Sequence, residues 1–413
     1  MTHATPGPAA AAEPLEDPPH GWARRFYLAW VGVMIGFYGP IQVLLPNQAE
    51  ALSPDHKEYV LSLVTGLGAA VSTVLNPLWG ALSDRTTSRF GRRLPWVVAG
   101  VTGGVVSLLI LAVAPNVAAM VLGWCLVQGT LNATWAALTA AVPDQVPAVR
   151  RGAIAGWLGL AQIVGVVVAT GAAALVPGRG GYVVCAAAVV ALVLPYVLLR
   201  RDVVLDPRDV PPWSWGGFLR GFWVSPRRHP DFGWAWLTRL LINLGYSVAI
   251  VYLLYFLRDD LDRPHAESDV FLLTVVNTVG VAAAVLVSGV WSDRLGRRRV
   301  FVIASGVVLG LGAFVIALSP TWTTLLAASF VLGLGFGVYT SVDFALITQV
   351  LPDEAARGKD LGVLNIASAL PQVLAPAIAA PVVTLVGYPA LFAVAGVFAL
   401  LGALLVRNVR SVA

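Results

Sequence analysis

The sequence predicts an all-α integral membrane protein with twelve transmembrane helices in two pseudo-symmetric six-helix bundles. Three observations support this fold class: charged side chains are scarce, twelve apolar runs are long enough to cross a bilayer, and one loop pattern occurs twice. Only 12% of the 413 residues are Asp, Glu, Lys or Arg, whereas a typical soluble chain has about 25%. A further 58% are apolar, which excludes a soluble enzyme, a disordered protein and a nucleic-acid binder.

The apolar runs define the predicted spans. A helix needs about 20 apolar residues to cross the hydrocarbon core, and breaks rich in proline and glycine separate the runs. The predicted spans are 26–46, 59–82, 95–114, 117–142, 153–175, 182–199, 233–257, 268–291, 300–318, 322–351, 361–386 and 388–406. An even number of spans places both termini on the same side of the membrane.

These spans divide the chain into five regions. A Pro/Ala-rich tail without the apolar core of a signal peptide is predicted to be disordered. It is followed by an N-terminal six-helix bundle, a connector, a C-terminal six-helix bundle and a short tail. Their predicted bounds are 1–25, 26–199, 200–232, 233–406 and 407–413.

The basic residues predict the orientation. Of the 27 Lys and Arg, 22 fall in loops on the side of the termini, four fall on the opposite side, and Arg239 alone lies within a span. Basic loops mark the cytoplasmic side, so both termini are predicted to be cytoplasmic. Arginine outnumbers lysine 25 to 2, as is common in GC-rich bacterial genomes, and we expect a multi-pass protein of the bacterial inner membrane. The net charge of +5 therefore reports topology and does not indicate a nucleic-acid partner.

A loop motif occurs at corresponding places in the two halves of the chain. Each copy has a glycine, an Asp-Arg pair four residues later and then a Gly-Arg-Arg triplet. The glycine and the Asp-Arg pair recur 209 residues later, and the first copy has a four-residue insertion before its triplet. Its residues are Gly80, Asp84, Arg85, Gly91 and Arg92 after the second span, and Gly289, Asp293, Arg294, Gly296 and Arg297 after the eighth. The repeat indicates two related six-helix halves.

The loop motif resembles that of the major facilitator superfamily, and the resemblance spans the twelve-helix plan. It implies two bundles built from inverted repeats, a midplane binding site between them and alternating access. Asp84 and Asp293 are suited to face helix N-termini, whose free N–H groups favour an anion. We expect these two aspartates to latch the halves together on the cytoplasmic side. The alternative is that the loops hold only topogenic arginines and a turn.

Longer signatures resemble the glycoside–pentoside–hexuronide:cation symporters and the related sucrose transporters. These signatures cover 76–77, 83–95, 358–365 and 371–372. The resemblance implies uptake of a sugar or glycoside together with a cation. It also adds Asn365 and Gln372, both in the eleventh span, as candidate residues of the substrate cavity.

Two ionisable residues lie well within predicted spans, Arg239 in the seventh and Asp343 in the tenth. Such groups are costly in a membrane and indicate function. Counted from the cytoplasmic ends of their spans, both lie about 12–13 Å deep at 1.5 Å per residue, so they can pair. A carboxylate that alternates between an apolar environment and an arginine could bind and release a proton. The alternative is a static ion pair that joins two helices.

Other polar residues form stripes at helical spacing in the first, fourth, seventh and tenth spans. They are Tyr38, Gln42, Gln128, Asn132, Trp135, Asn243, Tyr246 and Tyr339. In the resembled fold these four spans surround the cavity. Amides and hydroxyls beside aromatic rings suit an uncharged, hydroxylated solute. Alternatively, they hydrogen-bond between helices, a common use of Asn and Gln in membranes.

The sequence therefore predicts a secondary transporter that works by alternating access, with proton-coupled uptake of a sugar or glycoside as the main hypothesis. The alternative is a proton-coupled antiporter that exports a small amphipathic compound. All five histidines lie outside the spans, which argues against haem, an intramembrane metalloprotease and a histidine proton relay. We expect no enzymatic activity, metal or cofactor. The expected partners are a small solute, protons and the bilayer, but no nucleic acid, and the expected functional form is a monomer.

Overall fold

A computed structural model describes residue 18 and residues 21–210, 215–216, 227–295, 297–349 and 357–409. All regular secondary structure in these residues is helical. Within these described residues, twelve helical segments are long and apolar enough to cross a membrane. The predicted fold class and the number of spans are confirmed.

The first six spans contain seven α-helices, because the first span is interrupted. A π-helical turn at Pro40–Leu44 separates its two parts. The helices are α1 (Trp22–Gly39), α2 (Leu45–Leu52), α3 (Lys57–Ser83), α4 (Leu94–Ala112), α5 (Val117–Gln145), α6 (Ala148–Leu175) and α7 (Arg179–Val197).

The last six spans also contain seven α-helices. The helices are α8 (Pro230–Val251), α9 (Leu253–Asp259), α10 (Ala266–Leu295), α11 (Arg298–Leu318), α12 (Trp322–Gln349), α13 (Arg357–Val386) and α14 (Tyr388–Leu405). The seventh span breaks at Tyr252, between α8 and α9. The first and seventh spans occupy equivalent places in the repeat, so both halves interrupt the same helix, as many transporters do.

The chain folds into two compact units. One comprises residues 1–44 and 71–214, and the other comprises 45–70 and 215–413. The helical hairpin of residues 45–70, which joins the first two spans, therefore groups with the C-terminal helices. The sequence instead places this hairpin in the N-terminal bundle.

Close helix packing in the second unit depends on glycine. A Cβ atom built on Gly333 of α12 would lie 2.1 Å from the backbone oxygen of Asn277 in α10. No side chain can relieve a clash with backbone, so the two helices can approach this closely only because residue 333 is glycine.

We expect Gly333→Ala to destabilise the protein by about 1–3 kcal/mol, because the added methyl group forces α10 and α12 apart. Thermal unfolding of the purified protein in detergent measures this effect. Gly159→Ala is the matched control, since nothing lies within 4 Å of a Cβ atom at that position. Equal melting temperatures for the two variants would contradict the packing argument.

Candidate functional site

Arg239 and Asp343 form an ion pair inside the second unit. Nη1 of Arg239 on α8 lies 2.7 Å from Oδ2 of Asp343 on α12. The aspartate is only 6% exposed. Nε of the same arginine donates to Oγ of Ser368 on α13, at 2.7 Å. One guanidinium thus joins three membrane-spanning helices and has both a charged and a neutral partner.

Tyr339 and Asn243 complete the surroundings of this pair. Tyr339 lies one helical turn before Asp343, and its hydroxyl interacts with the carboxylate. Nδ2 of Asn243 lies 3.3 Å from the Tyr339 hydroxyl and 2.8 Å from the carbonyl oxygen of Arg239, and donates to both. The carboxylate therefore contacts a cation and a hydroxyl, and a buried charge is tolerated when it is paired and hydrogen-bonded in this way.

Tyr246 is held rigidly beside this cluster. Its ring stacks on Phe336 with centroids 3.9 Å apart and planes 6° apart. Its hydroxyl donates to Oδ1 of Asn277 at 2.8 Å, and Nδ2 of that asparagine donates to the carbonyl oxygen of Ser329. This series of contacts fixes one aromatic face on α8 against α10 and α12.

In the first unit, Asn132 is fully engaged with the protein. Its Oδ1 accepts from Nδ2 of Asn76 on α3 at 2.8 Å, and its own Nδ2 donates to the carbonyl oxygen of Gln128 at 2.7 Å. Nε1 of Trp79 also crosses from α3 to the carbonyl oxygen of Gly129 on α5. In the structure these amides join two helices, which is the alternative raised for them by the sequence.

Aromatic rings form the other part of this region. The Trp135 ring lies 4.9 Å from Trp30 and 6.2 Å from Phe37, measured between centroids. The Tyr38 hydroxyl interacts with Gln162 of α6. Along these stripes of the first unit, aromatic rings are therefore more available to a solute than amide groups, because the amides described above already bond to the protein.

The remaining predicted cavity residues are dispersed. Gln42 lies half-buried in the π-helical turn, and Gln372 is exposed on α13. Asn365 belongs to the same helix, but its side chain lies outside the described part of the chain.

The first copy of the loop motif forms an ion network. Nε atoms of Arg92 and Arg93 both donate to Oδ2 of Asp144, at 2.9 and 2.7 Å. Arg93 also binds Oγ of Ser83 and the carboxylate of Asp84. We call Asp84, Arg92, Arg93 and Asp144 the loop network. The Asp84 side chain is 59% exposed, so its predicted latching role stays a prediction.

The other motif residues fall into two groups. Arg85 is half-buried, Gly80 lies in α3 with no atom within 4 Å of a Cβ built on it, and Gly91 has a φ of +97°. In the second copy, Arg297 is exposed just before α11. The other residues of that copy, namely Gly289, Asp293, Arg294 and Gly296, lie outside the described backbone or side chains.

Sequence reasoning did not identify three partners that organise the second unit. Ser368 and Asn277 bind Arg239 and Tyr246, and Phe336 stacks on Tyr246. An amide within the apolar eighth span is a signal that could have pointed to Asn277. No sequence pattern distinguishes Ser368 from other small residues of its span.

In the described residues, twelve helices long and apolar enough to span a membrane, together with a loop motif repeated between the halves, define a multi-pass membrane protein. The family model described as Major Facilitator Superfamily matches residues 26–268 and 236–412. The chain therefore belongs to the major facilitator superfamily. Its membership of the glycoside and sucrose branch stays a hypothesis.

Solved structures of this superfamily share the fold. The peptide transporter POT in complex with sulfate is 15% identical, with a TM-score of 0.76 over 95% of this chain and 96% of that chain. The nucleoside transporter NupG is 14% identical, with a TM-score of 0.70 over 94% and 97% of the two chains.

Among curated proteins, the chain is similar to multidrug resistance protein MdtL. It is 34% identical over 126 residues to the protein of Shigella flexneri serotype 5b, which is 30% of this chain and 32% of that protein. It is 33% identical over 126 residues to the protein of Escherichia coli strain K12. The match thus spans about a third of the length of these relatives.

Proposed function

We propose that this member of the superfamily is a proton-coupled transporter of the bacterial inner membrane, in which Asp343 carries the proton. The observation that supports this role is the Arg239–Asp343 pair, which lies within the membrane-spanning helices α8 and α12. Ionisable groups at such positions mark ion or substrate pathways in membrane proteins.

The chemistry of the pair suits a proton switch. Burial in a low-dielectric environment favours the neutral carboxylic acid, whereas an adjacent guanidinium favours the carboxylate. Arg239 can leave Asp343 without losing every partner, because Ser368 accepts a hydrogen bond from its Nε. A helix movement or a bound solute that separates the pair would then promote proton uptake, and re-pairing would promote release.

The contacts in each unit favour a small amphipathic solute, exported in exchange for protons. Asn132, Asn243 and Tyr246 are bonded to neighbouring helices, so aromatic surface remains the main feature that these stripes offer. Aromatic rings bind planar apolar groups by stacking. The similarity to a protein named for multidrug resistance points in the same direction.

Uptake of a sugar or glycoside is the second candidate. The loop signatures at 76–77 and 83–95, which resemble sugar:cation symporters, favour it. It requires several of the bonded amides to exchange their protein partners for solute hydroxyls.

Transport in proteoliposomes under an imposed pH gradient distinguishes the candidates. The panel contains ethidium and rhodamine 6G as amphipathic probes, and sucrose and methyl β-glucoside as sugars. We expect the amphipathic probes to move in the direction opposite to proton flow. A pH-sensitive dye inside the vesicles is expected to report a matching proton flux. Sugar movement in the direction of proton flow would establish the second candidate. Solute flux that does not depend on the imposed pH gradient would refute proton coupling.

A further inference from the structure

Asp202 connects the end of the sixth span to the beginning of the third. It lies after α7, in the described first part of the connector. Its Oδ2 accepts hydrogen bonds from the backbone N–H groups of Arg93 and Leu94, the latter at 2.7 Å. The backbone N–H of Arg92 donates in turn to the carbonyl oxygen of Val203 at 2.9 Å. Two short backbone segments, about 110 residues apart in sequence, are thus joined side by side.

These contacts provide α4 with a cap that its own sequence lacks. The first N–H groups of a helix have no intrahelical partner and carry partial positive charge. Asn116 satisfies this need locally for α5 through its side chain, but the residue before α4 is Arg93, whose side chain makes no capping bond. The Asp202 carboxylate takes the place of the missing cap.

Two further features show that the loop is shaped around this carboxylate. Gly91 has a φ of +97°, and a Cβ atom there would lie 2.2 Å from the Cβ of Asp202. Burial raises the pKa of the Asp202 carboxyl, and hydrogen bonds from backbone N–H groups oppose that rise. The position is therefore costly for an anion, and the backbone contacts are what stabilise it there.

The backbone contacts hold Arg92 and Arg93, and the side chains of the same two residues supply the guanidiniums of the loop network. Both guanidiniums, of Arg92 and Arg93, bind Asp144 at the end of α5. We propose that Asp202 is a positioning residue: it holds the backbone of these arginines so that both reach Asp144, and thereby links the connector to the loop network. The inference depends on the fold of the first unit and on no particular solute or coupling ion.

Hydrogen–deuterium exchange of the full-length protein in nanodiscs tests the contact. Asp202→Ala is expected to accelerate exchange at least tenfold in peptides covering 88–97, because the first amides of α4 lose their acceptor. Asp202→Asn, which retains an acceptor oxygen, is expected to restore part of the protection. Asp206→Ala is the matched control, since among the described residues that carboxylate accepts a hydrogen bond from the nearby N–H of Arg208 and from no part of α4. Unchanged exchange in Asp202→Ala would refute the cap.

A double-mutant cycle tests the positioning role separately. If Asp202 acts through the two arginines, Asp202→Ala and Asp144→Asn are expected to be non-additive, by at least fivefold in the unfolding equilibrium constant measured in detergent. A cap that merely stabilises α4 would give additive effects, and additivity would overturn the proposal. The result is independent of the proposed transport function, because neither measurement requires a solute.

Discussion

Asp343→Asn is expected to abolish proton-driven transport while leaving solute exchange across the membrane intact. An asparagine cannot take up a proton at physiological pH, yet it has nearly the same shape and can still accept hydrogen bonds from Arg239 and Tyr339. Exchange of labelled for unlabelled solute at equal pH requires no proton movement. We therefore expect gradient-driven flux to fall by at least about tenfold, or ~1.4 kcal/mol, with equilibrium exchange retained.

Folding has to be separated from coupling in this experiment. Removing one charge of a buried pair can cost about 3–5 kcal/mol, since the other charge is left uncompensated. Asp269→Asn is the matched control: this carboxylate is also buried and paired, with Nε of Arg263 2.7 Å away, at the beginning of α10. We expect similar melting temperatures for the two variants and a loss of coupling only in Asp343→Asn. If coupling survived in folded Asp343→Asn, the pair would be a static tie between α8 and α12.

The Arg239–Asp343 ion pair shows that the sequence can predict the depth of a residue along its span. Each is a charged residue in an otherwise apolar span, and both were placed at the same depth by counting residues from the span ends. Depth along a helix follows from its rise per residue, so a pairing across two spans could be anticipated from the chain alone. The structure joins the two at 2.7 Å.

Rotation of each helix about its axis is much harder to infer. A polar stripe on a membrane helix can face either a cavity or a neighbouring helix, because the lipid-facing sides are apolar in both cases. The stripe that contains Asn132 is compatible with both, and the structure shows its side chain bonded to Asn76 of the neighbouring helix. The sequence does not identify Ser368 or Asp202 as site residues, because their roles depend on which distant segment of the chain packs against them. The hairpin of residues 45–70 is a similar case, since chain order alone assigns it to the first bundle.

Within the second unit, that hairpin is joined to α9 and α10 by a group of charges that we call the hairpin ion cluster, namely Glu50, Lys57, Arg258, Asp259 and Glu267. Glu50 is central to it, because it binds both Lys57, at 3.0 Å, and Arg258. The lysine also binds Asp259 at 2.7 Å, and the arginine also binds Glu267.

Neutral contacts reinforce the hairpin ion cluster. The Tyr255 hydroxyl donates to the carbonyl oxygen of Pro46 at 2.8 Å, and Nη2 of Arg258 donates to Oδ1 of Asn47 at 2.6 Å. Together with the ion pairs, these contacts join α2 and the first residue of α3 to α9 and α10. They have to break before the hairpin can open.

We therefore expect Glu50→Gln to increase the frequency of hairpin opening by about tenfold. The substitution removes the carboxylate that binds both Lys57 and Arg258, and charge-assisted hydrogen bonds are worth about 1.5–3 kcal/mol each. Ala49 of α2 is fully buried, so the alkylation rate of an Ala49→Cys variant, with Cys125 and Cys185 replaced, reports opening. Salt is expected to accelerate alkylation of the parent protein more than that of Glu50→Gln, since the parent retains more charge pairs to screen.

Asp55→Asn provides the comparison, because this carboxylate lies on the same hairpin but is exposed. It is expected to leave the alkylation rate within twofold of the parent, since a fully hydrated surface charge contributes little. Equal acceleration by the two substitutions would mean that net charge on the hairpin, and not the bridging geometry of Glu50, controls opening. A rate unchanged in both would show that the tyrosine and backbone contacts hold the hairpin without the ion pairs, and would contradict the role of Glu50.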